Sequence, residues 1–250
     1  MNLIISKTKE ELGALSAIHA ARCINEAIAK QGYARILLST GASQFPFFDE
    51  FVKQDIDWSK VEMFHLDEYV GISPDHPASF NKYLRERFVE VCHPAKYHLM
   101  NGEKNPEETI AEVSALIAEE PIDLGMIGIG ENGHIAFNDP PADFDDERAY
   151  KIVTLNDTCL RQQVREGWFE NEDAAFKQAI SMTCKQILKC ETIISVVPHA
   201  VKAEAIKGAL TQDVNNMLPA TLFKTHGDVT IYCDENSASL CDKDTLAKFA

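Results

Sequence analysis

The segment from Leu124 to Pro140 reads LGMIGIGENGHIAFNDP and joins an apolar run to a glycine-rich turn that carries a histidine. The run from Leu124 to Ile129 predicts a buried strand, because short continuous apolar stretches are typical of strands covered on both faces. Ligands of open α/β sheets bind beyond the carboxyl ends of the strands, where glycines let the backbone turn and approach a ligand closely. Since a histidine there can transfer protons near neutral pH, the segment predicts the centre of an active site.

This turn does not match the common nucleotide-binding motifs. It lacks the third glycine that opens a helix in the dinucleotide fingerprint, and no Gly-Lys-Ser/Thr follows it as in a P-loop. A glycine-rich turn with a histidine can also be purely structural. Evidence from the residues at the other strand ends is therefore needed to distinguish a structural turn from a functional one.

Strand-like and helix-like patterns alternate along the whole chain. Strands are predicted at Leu3–Ile5, Ala34–Ser39, Val61–Leu66, Asp123–Ile129, Thr192–Val197 and Val229–Cys233. Helices are predicted at Thr8–Lys30, Phe45–Lys53, Ser79–Val91, Pro106–Glu119, Ala200–Leu210 and in the tail after Asn236. This alternation predicts a doubly wound, mainly parallel α/β sheet with helices on both faces, of the Rossmann-like type.

The first predicted helix has the clearest local signals. Thr8 and Glu11 are spaced as in a capping box, and Gly32 follows as a stop signal. Its apolar residues recur at helical spacing, which predicts a buried stripe formed by Leu12, Leu15, Ile18, Ala21, Ile24 and Ile28.

Length, charge and cysteine content narrow the class of protein. The 250 residues fit a single domain, 1–250, and the net charge of −15 argues against nucleic acid or an anionic membrane as partner. Seven cysteines without a Cys-x-x-Cys pair favour reduced thiols over a disulfide framework or a zinc site. Because the N-terminus is short and polar and no long apolar run occurs, we expect a cytoplasmic protein. We further expect a monomer or small homo-oligomer that binds no metal.

Two further strand ends carry polar side chains. Thr40, Gly41, Ala42 and Ser43 follow the second predicted strand, and such a turn can cradle a phosphate group or simply cap a helix. The adjacent carboxylates of Asp67 and Glu68 follow Val61–Leu66. Because desolvating carboxylates is costly, one of them is a candidate general base, although Asp67 could instead cap the next segment while Glu68 faces water.

Two other features leave alternatives open. Lys202, Arg161 and Arg165 are candidates to bind an anionic substrate, but surface cations are usually only solubilising. The acidic segment from Asn138 to Arg148 is interpreted either as a solvated loop or as a lid over the site.

At this point the motifs resemble those of the glucosamine-6-phosphate deaminase (isomerase) family, whose superfamily includes 6-phosphogluconolactonases and galactosamine-6-phosphate isomerases. The resemblance rests on seven blocks that occur in order along nearly the whole chain. They are 66–71 (LDEYVG), 76–80 (HPASF), 101–102 (NG), 128–140 (GIGENGHIAFNDP), 154–156 (TLN), 202–205 (KAEA) and 228–230 (DVT).

The resemblance implies a role for each matching residue. Asp67 corresponds to the base that moves a proton between C2 and C1 of the open-chain sugar, supported by Glu68. His134 corresponds to the residue that opens the sugar ring, with Asn132 and Asp139 beside it. The resemblance also implies that the phosphate group is bound by Thr40, Gly41, Ala42, Ser43, Arg165 and Lys202, and that no cofactor is required.

The chain departs from the family pattern around the substrate. Asn132 stands where the family often has aspartate, Asp139 where it usually has glutamate, and 41–44 (GASQ) replaces Gly-Gly-Thr-Pro. The hypothesis is therefore deamination of an amino-sugar 6-phosphate of either the gluco or the galacto series. The alternatives are a sugar-phosphate lactonase that uses His134 to activate water, and a sugar-phosphate sensor without turnover.

Overall fold

The protein is described here by a computed structural model that covers residues 1–165 and 167–249. The strands are β1 (Asn2–Ser6), β2 (Ala34–Leu38), β3 (Val61–His65), β4 (Asp67–Tyr69), β5 (Lys96–His98), β6 (Leu124–Met126), β7 (Tyr150–Thr154), β8 (Gln178–Met182), β9 (Thr192–Val197) and β10 (Val229–Asp234). The helices are α1 (Lys9–Gln31), α2 (Phe45–Phe51), α3 (Phe80–Leu84), α4 (Glu90–Cys92), α5 (Pro106–Ile117), α6 (Asp157–Arg165), α7 (Cys184–Ile187), α8 (Ala203–Thr211) and α9 (Lys243–Ala247), with a π-helical turn at Arg85–Val89 between α3 and α4.

Seven parallel strands form the main sheet in the order β1-β10-β9-β6-β2-β3-β5. The chain builds one half of this sheet outward through β2, β3 and β5, then returns to β6 and builds the other half. The order therefore reverses between β2 and β6, which is where doubly wound sheets bind their ligands. The predicted α/β class and its parallel sheet are confirmed.

A second, antiparallel sheet of β4, β8 and β7 was not predicted. After β3 the chain leaves the main sheet at Leu66, and Asp67–Tyr69 pairs with residues 179–181 of β8. The partner strands β7 and β8 come more than 80 residues later, so the pairing depends on contacts that no local pattern encodes. This sheet holds Asp67 at the point where the two sheets meet.

The capping signals of α1 are confirmed, whereas part of its predicted buried stripe is wrong. The Thr8 side chain accepts a hydrogen bond from Glu11 N, and Gly32 ends the helix in the left-handed conformation with φ of 92°. However, the side chains of Leu15 and Ile18 are 40% and 57% exposed. Small residues of α1 instead bury the face that meets the sheet and α2, since a Cβ at position 13 would collide with Pro46.

In the part of the chain that the structure describes, no helix is both long and apolar enough to cross a bilayer.

Candidate active site

A cleft with a cavity volume of about 80 Å³, partly open to solvent, lies at the carboxyl ends of the central strands. The segments after β2, β3, β6 and β9 form its floor, and these four strands are neighbours in the sheet. Its lining includes Ser39, Thr40, Gly41, Ala42, Ser43, Leu66, Asp67, Phe80, Gly128, Ile129, Gly130, His134, Ala136, Phe137, Gln162, Gln163, Trp168 and Lys202. The structure therefore brings together three separate strand-end motifs of the sequence, together with Lys202.

His134 is held in one orientation by two neighbouring side chains. Its Nδ1 lies 2.7 Å from Asn132 Oδ1 and 3.1 Å from Asp139 Oδ1. Both atoms accept hydrogen bonds, so Nδ1 carries the proton and Nε2 is left to act on a ligand in the cleft. The Asn132 amide also donates to Asp139 Oδ1 at 2.9 Å, which links the three side chains.

Asp139 supplies the negative charge that Asn132 cannot supply to the histidine. Burial by itself raises the pKa of Asp139, but the hydrogen bonds and charge of His134 and the hydrogen bond from Asn132 lower this pKa overall. Asp139 therefore stays ionised and stabilises an imidazolium at position 134.

Two glycines allow the histidine turn to close. Gly133 adopts φ of 80°, a conformation that side-chain-bearing residues rarely take, and its N–H donates to Gly130 O at 3.1 Å. The ring of His134 lies directly against Gly130, where a Cβ would come within 2.2 Å of the ring. The glycine-rich turn therefore positions the imidazole.

Asp67 lies in the cleft as a buried carboxylate. Burial, reinforced by the negative charge of Glu68, raises the pKa of Asp67 to about 8. A carboxylate with such a pKa accepts a proton from carbon more readily than an ordinary aspartate, because base strength rises with pKa. The alternative in which Asp67 caps the next segment while Glu68 faces water is not supported, since Ser79 is the N-cap of α3 and Glu68 is fully buried.

Glu68 does not line the cleft, so of the roles considered for it only the support of Asp67 fits its placement. Its carboxylate is fully buried and accepts hydrogen bonds from the backbone N–H groups of Tyr69, Phe80 and Asn81 and from the Ser79 hydroxyl, at 2.7–3.2 Å. Burial raises the pKa of Glu68 and these donors oppose the rise. Glu68 therefore ties the start of α3 to β4 and, through the chain, fixes the position of Asp67.

The loop after β2 contributes Thr40, Gly41, Ala42 and Ser43 to the cleft wall. Gly41 has φ of 104°, which favours glycine, and its carbonyl accepts a hydrogen bond from the Tyr83 hydroxyl at 3.1 Å. The Gln44 amide donates to Val196 O at 3.0 Å, which fastens the loop to β9. This loop is therefore rigidly held beside the cleft.

Lys202 and Arg165 differ sharply in their placement. Lys202 is only 6% exposed and lines the cleft from the short 3-10 turn that follows β9. Arg165, by contrast, forms an ion pair with Glu131, and its side chain is 56% exposed. The placement of Arg165 therefore does not support the implied contact with the phosphate group, because its guanidinium pairs with Glu131, which does not line the cleft.

The wall contributed by α6 was missed by sequence reasoning. Gln162 and Gln163 of α6 and Trp168 after it line the cleft, whereas none of the residues 140–148 does. The acidic segment is thus not the lid, and Asp146 instead pairs with Arg148 and Lys151. Two adjacent glutamines on a short helix, between Arg161 and Val164, are a weak local signal that could have pointed to this wall.

Within residues 1–165 and 167–249, no group of three or more His, Cys, Asp or Glu side chains is arranged to hold a metal ion. The expectation that no cofactor takes part stays a prediction.

Residues 7–231 match the sequence profile of the family described as glucosamine-6-phosphate isomerases/6-phosphogluconolactonase. The chain belongs to this family. A glucosamine-6-phosphate deaminase of Streptococcus pneumoniae (strain Hungary19A-6) is 36% identical over 207 residues, which cover 82% of this chain and 86% of that protein.

Two solved structures of the family show the same fold. One is a monomeric glucosamine-6-phosphate deaminase with 28% identity and a TM-score of 0.87, and the match covers 96% of this chain and all of that one. The other is a 6-phosphogluconolactonase of Shewanella baltica OS155 with 20% identity and a TM-score of 0.77, covering 94% of this chain and 97% of that one. At this lower identity the lactonase supports the fold alone.

Proposed function

We propose that the protein converts an amino-sugar 6-phosphate and water into the ketose 6-phosphate and ammonia. The observation that carries this proposal is the presence of a buried carboxylate, an oriented imidazole and a buried lysine in one cleft: Asp67, His134 and Lys202. The named deaminase relatives support the same reaction.

In this proposal the substrate is anchored by its phosphate group. The ammonium of Lys202 compensates the phosphate charge, and the loop from Thr40 to Ser43 supplies hydroxyl and backbone groups beside it. A local cation of this kind is needed because the protein as a whole carries a net charge of −15.

His134 then opens the sugar ring. Since Nδ1 donates to Asn132 and Asp139, Nε2 can take the proton of the C1 hydroxyl and return it to the ring oxygen. Asp139 stabilises the imidazolium that forms between these two transfers. The product of this step is the open-chain amino aldehyde.

Asp67 carries out the isomerisation. In its ionised form it removes the proton from C2 while the aldehyde oxygen O1 takes up a proton, which gives an enolamine. It then delivers the proton to C1 as the nitrogen at C2 loses one, so that the proton lost from nitrogen balances the proton gained by O1. Two electrons thereby move from C2 to C1, which converts the amine at C2 into an imine. Water adds to this imine and ammonia leaves, so that the atoms of the substrate and one water equal those of the products.

A single assay separates this activity from the lactonase and sensor alternatives. We expect release of ammonia from glucosamine 6-phosphate or galactosamine 6-phosphate, followed with glutamate dehydrogenase, and no hydrolysis of 6-phosphogluconolactone above the spontaneous rate. Lactone hydrolysis without ammonia release would overturn the proposal in favour of the lactonase. Tight binding of the sugar phosphates without any turnover would favour the sensor.

A further inference from the structure

The cleft contains buried polar atoms that have no partner within the protein. Among the described residues that line it, Ser39 Oγ and Gln163 Oε1 have no hydrogen-bond partner, and their side chains belong to residues only 4% and 6% exposed. Buried polar atoms in folded proteins are nearly always hydrogen-bonded, because leaving one unpaired is costly. An unpaired atom in the wall of a cleft is therefore suited to a ligand.

Gln163 is held firmly by its surroundings. The preceding residues Cys159 and Leu160 are buried in the apolar cluster that contains Tyr69 and Phe137. The backbone carbonyl of Gln163 accepts a hydrogen bond from Trp168 N at 3.1 Å, which closes the turn after α6. Because the chain is anchored on both sides of this lining residue, ordering its side chain against a ligand carries only a small cost in entropy.

The chemistry of the amide oxygen limits its partner to a hydrogen-bond donor. Phosphate oxygens are acceptors and would be repelled, and they are already assigned to Lys202. A positively charged ammonium group of the substrate is better compensated by an ionised carboxylate than by a neutral amide. The donors that remain on an aldose 6-phosphate are its secondary hydroxyl groups.

We infer that Gln163 is a specificity-determining residue that accepts a hydrogen bond from the C3 or the C4 hydroxyl group of the sugar phosphate. This inference rests on the proposed function for the substrate class. By this inference α6 recognises the arrangement of hydroxyl groups on the substrate, although none of the sequence blocks that resemble the family lies on α6. A site built to bond a hydroxyl discriminates strongly against analogues that lack it, because its own polar group is then left unpaired.

The test is a cycle of variants and deoxy analogues measured by calorimetric titration. Glucitol 6-phosphate, an open-chain alditol that cannot be deaminated, is titrated together with its 3-deoxy and 4-deoxy forms. We expect Gln163→Met to weaken binding of the parent alditol about ten-fold, as for one buried hydrogen bond. One deoxy analogue should bind wild type about ten-fold more weakly than the parent and bind both proteins equally well.

Two further variants serve as controls for the position of the amide group and for the effect of replacing a glutamine elsewhere in the protein. Gln163→Asn keeps an amide but withdraws it by one methylene group, and it should show the same loss of coupling. Gln178→Met changes an exposed glutamine of β8 outside the cleft and should leave all affinities unchanged. Thermal unfolding midpoints establish that each variant is folded before titration.

The inference is overturned if Gln163→Met and Gln163→Asn bind the parent as tightly as wild type, or if they weaken the parent and both deoxy forms by the same factor. The proposed function fails separately, when wild type releases no ammonia from either amino-sugar phosphate. If the titrations show coupling between Gln163 and one hydroxyl group but wild type releases no ammonia, only the proposed function is refuted. If wild type releases ammonia but the titrations show no coupling, only the role of Gln163 is refuted.

Discussion

Replacing Gly130 with alanine should disable the enzyme while leaving it folded. A Cβ at this position would lie 2.2 Å from Cε1 and 2.3 Å from Nδ1 and Nε2 of His134. Ordinary contacts require about 3.5 Å, so the ring must move by roughly 1 Å or more. That movement pulls Nδ1 away from Asn132 and Asp139, which now hold it at 2.7 and 3.1 Å.

The magnitude follows from this geometry. A displacement of about 1 Å in a catalytic group can cost on the order of 10²-fold in rate, so kcat/KM for ammonia release should fall by about that factor. The free energy of unfolding should fall by only about 1–2 kcal/mol, because the imidazole can swing into the open cleft instead of straining the backbone. KM should change little, since Gly130 is not expected to bind the phosphate group.

The assay compares kcat/KM for ammonia release with urea unfolding curves for the same preparations. Gly227→Ala is the matched control, because a Cβ there meets no atom within 4 Å and position 227 is exposed. This control should keep wild-type activity and stability. If Gly130→Ala keeps kcat/KM within about three-fold of wild type, the placement of the His134 ring does not limit the reaction and the assigned role is wrong.

Three other predictions concern charged residues. The pKa of Asp67, raised to about 8, predicts that kcat/KM increases with pH up to about 8 and then levels off, and a profile that is flat from pH 5.5 to 9 would contradict this. Because the folded protein keeps the Asp67 proton at pH values where the unfolded chain has lost it, the free energy of unfolding contributed by this group falls as pH rises from about 4 to about 8. In urea unfolding at pH 8.5, Asp67→Asn should therefore be at least as stable as wild type. The same variant should show no exchange of the substrate C2 proton with deuterated solvent. Lower stability or measurable exchange would refute the assignment of Asp67. Lys202→Met should weaken binding of inorganic phosphate and of the sugar phosphate about ten-fold or more, as for a charge-assisted hydrogen bond, whereas Arg165→Met should change both affinities less than two-fold in the same titration. Equal effects of the two substitutions would show that the ion pair with Glu131 opens when substrate binds.

The strand ends of the main sheet could be located from the sequence. Short apolar runs ending in glycine or polar residues predict buried parallel strands, and parallel strands place their carboxyl ends at one edge. The segments around Asp67, His134 and Thr40 each follow such a run, so their convergence in one cleft follows from the fold class. Because this pattern depends only on residues that are close in sequence, it can be recognised without the tertiary structure.

Other parts of the site were decided by contacts between distant segments. Glu68 has the same local signal as Asp67, but pairing of β4 with β8 turns one carboxylate into the cleft and the other toward the start of α3. Strand neighbours alternate between faces, so the register of this pairing assigns their roles.

Arg165 and Gln163 show the same division on α6. The family resemblance implied that the arginine binds the phosphate group, yet the arginine pairs with Glu131, which does not line the cleft. The glutamine had only a weak signal in the sequence, yet the packing of α6 against the cluster around Tyr69 buries it in the cleft wall. The sequence by itself determined the sheet and the chemistry at its strand ends, because both follow from local periodicity. Only the tertiary structure decided which side chains of α6 face the substrate, because the rotation of a short helix is set by the residues it packs against.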